Sequence, residues 1–288
     1  MTRMTFIAAA LMLAALPPAM PAAATESVPL SVLNQQTHYH GLAVDPTNPS
    51  RLYLATHNGF YLVGPDGMAS RLSEVQDFMG FTPHPTDPSV LYASGHPSGG
   101  GNLGFLMSVD GGASWSQISL GLDGPVDFHQ MDVSPANPQV IYGVYRGMQV
   151  SRDGGRTWSM TGPAPQGLIA LAASARSMDR LYAATKSGLM RSDDAGSTWQ
   201  AGAFAGEVAS MVTTGPGGRL YVYVVGRGLM TAAEEKPDDW SVLSSDPRIQ
   251  LHLAIDGRNP ERMFAIAHES GIIQSADGGK NWRPFGQP

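Results

Sequence analysis

Four octapeptides constrain this chain more than any other feature: SVDGGASW at 108–115, SRDGGRTW at 151–158, SDDAGSTW at 192–199 and SADGGKNW at 275–282. Each reads Ser-x-Asp-x-Gly-x-Thr/Ser/Asn-Trp. Trp240 closes a decayed fifth copy, and a further decayed copy surrounds GPDGMAS at 64–70. The tryptophans at 115, 158, 199, 240 and 282 fall 41 to 43 residues apart. A repeat of this length means copies of one small supersecondary unit packed side by side.

A second landmark precedes each octapeptide: RLY (51–53), VLY (90–92), VIY (140–142), RLY (180–182), RLY (219–221) and RMF (262–264). Upstream of it lies another apolar segment running into a turn, as in AVDPTNP, TPHPTDP, DVSPANP and AIDGRNP. Six units of about 40 residues, each with four short strands, predict an all-β, six-bladed β-propeller. The octapeptide sits between the third and fourth strands. Its Asp and Ser accept hydrogen bonds from turn amides, and its Gly supplies the positive φ of the turn. Its Trp is expected to pack on the next blade, contributing roughly 2–3 kcal/mol by burial. In an up-and-down sheet these hairpins share one face, the bottom, with the turns between first and second strands. The top face carries the other turns.

The chain has 288 residues and no Cys. Arg3, the apolar run Phe6 to Leu16 and Ala22-Ala23-Ala24 predict a signal peptide over 1–24, and so a periplasmic or secreted protein without disulfides. Residues 25–288 then form one propeller domain. Within 25–37 we expect a ring-closing strand and lead-in, with SVPLSVL (27–33) pairing with the last blade. No later segment is long and apolar enough to span a membrane. A formal charge of −6 argues against nucleic-acid binding. A monomer is expected.

The histidines follow the repeat. Four residues after each triplet, at the turn from second to third strand, stand His57, His96, Arg146, Lys186, Val225 and His268. Fifteen and thirteen residues before its last position, where the first strand begins, stand His38/His40, Asp77/Met79, Asp127/His129, Gly167/Ile169, Gly206/Val208 and Ile249/Leu251. Residues two apart on a strand face the same way, and His252 is displaced by one. Seven of the eight histidines are thus predicted on the top face, all in blades 6, 1, 2 and 3, with His84 at the bottom. Imidazoles, carboxylates and a thioether at one mouth suit a divalent transition metal, Zn or Cu, with His38, His40, His57, His96, His129, His252, His268, Asp77, Asp127 and Met79 as candidate ligands. The glycine-rich SGHPSGGGNLG (94–104) is expected as a long turn gating the mouth beside His96. It lacks the Lys-Ser/Thr ending of a phosphate loop, so no nucleotide cofactor is expected.

The octapeptides resemble the Asp box of the sialidase-like (BNR) repeat proteins, over essentially the whole of 25–288, and place the chain near their exported, glycosylhydrolase-like bacterial branch. For an enzyme the resemblance implies a glycosidase-type hydrolase. Sialidases of the group use an arginine triad, a Tyr–Glu pair and an Asp acid. Here Arg146, Arg227 and Arg248 stand in three separate blades and the Arg-Ile-Pro motif is absent. Asp77 and Asp127 are the catalytic candidates, since glycosidase carboxyls stand about 5–9 Å apart. Other members are receptors or assembly factors, which implies a protein partner. Metal site, glycoside hydrolase and interaction module stay open as readings of the same mouth, which takes a metal or a small ligand.

Overall fold

The computed structural model describes residues 27–269 and 271–286. The expected signal peptide, residues 1–24, lies outside them. Among the described residues no helix is long and apolar enough to cross a membrane.

Six antiparallel sheets follow one another along the chain, and each is built from one contiguous stretch. Their inner strands are Tyr39–Val44, Gln76–Pro83, Gln130–Val133, Leu168–Ala173, Ala209–Gly215 and Gln250–Ile255, for blades 1 to 6. They contact one another in ring order, and that of blade 1 also touches that of blade 6. The chain is an all-β, six-bladed propeller. Its core is divided into six clusters, one between each pair of neighbouring blades. Between blades 2 and 3, for example, Tyr92 and Phe105 meet Phe128, Ile141 and Trp158.

The octapeptide hairpins close as their chemistry dictates. In blade 3, Asp153 Oδ1 accepts from the Thr157 and Arg156 amides at 2.9 and 3.0 Å, and Oδ2 from the Thr157 hydroxyl at 2.7 Å. Ser151 Oγ accepts from the Gly155 amide at 2.8 Å. These bonds hold the Asp153 carboxyl down at about 2, led by the Thr157 amide. The Trp158 ring lies 5.3 Å from Phe105 of blade 2 and 4.8 Å from Phe128 of its own blade. The tryptophan therefore packs on the preceding blade, not the next.

The N-terminal segment corrects another expectation. Ser27–Pro29 pairs with Met68–Arg71, the fourth strand of blade 1, and not with blade 6. Blade 6 completes itself with Arg283–Pro284. Pro29 has no N–H to continue a ladder, and it stands just before a helix, α1, over Leu30–Gln36. Leu33, at 1% exposure, enters the cluster between blades 1 and 6 with Leu52, Tyr61, Ile272 and Phe285. A helix side chain, rather than a shared strand, sits in this seam.

Asp132 ties three blades together, a role that no motif around it announces. It lies on the inner strand of blade 3, and accepts from the Ala173 amide of blade 4 at 2.8 Å and the Thr82 hydroxyl of blade 2 at 3.1 Å. Burial pushes its carboxyl up to about 6.

Candidate metal centre at the channel mouth

Each blade pairs the start of its inner strand with the end of its second strand. In blade 2 this sets Asp77 directly opposite His96. The approach requires Gly95 (φ +155), where a Cβ would lie 1.9 Å from the Asp77 carbonyl oxygen. In blade 1, Tyr39 pairs with Thr56, which brings His40 beside His57. The register then skips one residue. The same skip recurs in five blades and leaves His40, Met79, Ile169, Ser210 and Leu251 as the extra residues. Such bulges re-aim a side chain. His40, Met79 and Leu251 accordingly line the central cavity of about 880 Å³, together with His129 and His252.

The bulge also separates residues that strict alternation would keep together. His38 is exposed and stands edge-on to His57, ring centroids 5.7 Å apart, whereas His40 lies 4.1 Å from His57. In blade 5 the bulged position is Ser210 rather than the expected Val208, because the first hairpin is two residues shorter there: Tyr221 pairs with Thr213, eight positions earlier, whereas Tyr53 pairs with Ala43, ten positions earlier. His268 is exposed and has Glu269 as its nearest carboxylate, at 3.9 Å. The structure does not bring it to the other rings.

Two compact groups result. In the first, His57 Nδ1 stands 2.5 Å from Asp77 Oδ2, and His40 Nε2 stands 3.9 Å from Asp77 Oδ1. In the second, His129 Nε2 and His96 Nε2 stand 2.6 and 2.9 Å from Asp127 Oδ2. Within each group all three ligand atoms lie within 4.8 Å of one another. Ligands about 2.0–2.2 Å from one tetrahedral ion are separated by about 3.3 Å, so small shifts would let either group close on one. His40 Nε2, Asp77 Oδ1 and Asp127 Oδ1 are buried with no hydrogen-bond partner. Unsatisfied buried polar atoms are costly, and three gathered at one mouth suit a bound cation.

The electrostatics favour ligation as well. Burial, and then the His57, His252, His129 and His38 rings, push His40 down to about 3. Burial alone takes His252 to about 4. Both are neutral at pH 7, the form that binds metals. His129 moves the other way, raised by its bond to Asp127. The arginines expected of a sialidase are engaged apart from one another: Arg248 with Asp246 at 2.5 Å, Arg227 with Glu207 at 2.5 Å, and Arg146 over the Tyr145 ring at 5.2 Å. The loop at 94–104 is pinned rather than free. Asn102 Nδ2 donates to the Pro125 carbonyl at 2.9 Å and to Tyr145 Oη at 3.1 Å, both in the neighbouring blade.

A family model described as the BNR/Asp-box repeat matches residues 149–160, which span the octapeptide hairpin of blade 3. The chain is a six-bladed β-propeller that carries an Asp-box (BNR) repeat. Solved structures share the fold of this Asp-box propeller at low identity. A GH74 xyloglucanase from Xanthomonas campestris is 19% identical over 86% of this chain and 45% of its own, with a TM-score of 0.61. A GH74 enzyme from Niastella koreensis is 16% identical over 86% of this chain and 45% of its own, with a TM-score of 0.59. The propeller thus spans under half the length of these GH74 chains. YCF48, solved bound to a D1 peptide, is 17% identical over 92% of this chain and 87% of its own, with a TM-score of 0.56. No curated protein matches in sequence.

Proposed function

We propose that this Asp-box propeller is exported to the periplasm or the extracellular space and binds a divalent transition metal, Zn²⁺ or Cu²⁺, at the mouth of its central channel. The observation that carries this reading is the pair His40 Nε2 and Asp77 Oδ1. Both are buried and unpartnered, and they face each other across 3.9 Å beside His57. An ion at this place would satisfy both atoms and take its third ligand from His57. Asp127, 4% exposed and held by two imidazoles, is better suited to a ligand set than to an open glycosidase carboxyl. The test is metal analysis of purified protein after loading with Zn²⁺ or Cu²⁺ and removal of excess. At least one equivalent per chain is expected, and His57→Ala should bind one equivalent fewer with unchanged circular dichroism. Less than one equivalent would end this reading.

A second reading, capture of a peptide at the same face, has one observation in its favour: the likeness to peptide-bound YCF48 runs through nearly the full length of both chains. A pulldown that loses its partner on substitution of His57 and His96 while folding is retained would support it.

A further inference from the structure

We infer that His96 joins the two His/Asp groups into one two-ion centre, its imidazole bridging the ions through opposite ring nitrogens. This rests on the metal reading above and adds to it a second ion and a bridge.

The ring of His96 stands between the groups and faces both. Its Nε2 is 2.9 Å from Asp127 Oδ2, and its Nδ1 is 4.0 Å from Asp77 Oδ2. The second distance exceeds the roughly 3.3 Å between ligands of one tetrahedral ion by under about 1 Å, a gap that a small shift of the half-buried His96 ring closes. An ion at His40, His57 and Asp77 therefore takes Nδ1 of His96 as its fourth ligand. An ion at Asp127 and His129 takes Nε2. The bridged ions would stand about 6 Å apart.

Both carboxylates are built for this. Asp77 and Asp127 each leave Oδ1 buried without a partner, in addition to the Oδ2 that meets an imidazole. One such atom on each side of His96 marks an unfilled position on each side. Gly95 fixes the placement, since only a residue without Cβ lets His96 sit this close to the strand that carries Asp77.

The protons and charges balance. Neutral imidazole has one N–H and one lone pair, so the first ion takes the lone pair. Binding the second ion releases the remaining ring proton to solvent, and His96 becomes an imidazolate. Two divalent ions then meet three anionic groups, Asp77, Asp127 and the imidazolate, which leaves a net charge of about +1 in a half-buried site.

Copper supplies the readout. The full mature chain is titrated with Cu²⁺ alone, and bound copper is compared with the integrated paramagnetic resonance intensity at liquid-helium temperature. Exchange through a shared imidazolate pairs the two unpaired electrons. The expected result is two equivalents bound, with intensity rising to the first equivalent and falling below half of the bound copper at the second. In His96→Gln the intensity should equal the bound copper at every ratio, with circular dichroism unchanged. One equivalent at saturation, or two whose intensities simply add, overturns the bridge and leaves the metal reading standing. No copper bound overturns both.

Discussion

Asp77 Oδ1 and His40 Nε2 confront each other across 3.9 Å, and neither has a hydrogen-bond partner. The two residues come from neighbouring blades, so their meeting depends on the ring and on no local hairpin. Asp77→Asn keeps the shape and removes the charge. It should weaken Zn²⁺ binding at least about tenfold, read by competition with a chromophoric chelator. An unchanged affinity would remove Asp77 from the ligand set.

Acid should act through His252. Burial holds its folded-state pKa at about 4, below the ordinary 6.5 that the unfolded chain shows. Between these values the unfolded state binds the extra proton, so metal-free protein loses stability as pH falls from about 6.5 to about 4. His252→Leu removes this contribution, worth about 2–3 kcal/mol over that window. Denaturant titrations at pH 7 and pH 4.5 should show a smaller acid loss in the variant.

The hairpin closures carry unequal weight. Asp153→Ala removes acceptors for two amides and two hydroxyls at a solvent-facing turn. It should cost about 1–2 kcal/mol. Trp158→Ala empties a ring site packed between Phe105 and Phe128. It should cost about 3–5 kcal/mol. Urea midpoints of the two variants test the order.

Leu33 provides the test of the seam between first and last blades. Leu33→Ala should destabilise by about 2–4 kcal/mol through the cavity it leaves. Val32→Ala, one position away and 39% exposed, should change little. Equal effects would show that α1 contributes through its backbone alone.

The blades were legible because the octapeptides are local: Ser151, Asp153, Gly155 and Trp158 interact within eight residues, so sequence order nearly equals spatial order. The proximity of His57 to Asp77 followed from the 39-residue step between equivalent blade positions, Tyr53 and Tyr92. Finer placement did not follow. A bulge at His40 breaks the two-residue alternation that grouped it with His38, and nothing in the composition of THYHGL announces one. Pro29 turned an expected strand into the approach to a helix. Asp132 was read as part of a turn motif, because its partners Thr82 and Ala173 lie 50 and 41 residues away.

Every blade takes its four own strands from an uninterrupted stretch, and both His/Asp groups lie between His40 and His129. A chain emerging N-terminus first would therefore hold all six of these side chains once its first three blades had assembled. On the proposed metal reading, the later half of the molecule would serve as a wall around a chelating arc that precedes it, and cation capture would not wait for the circle to shut.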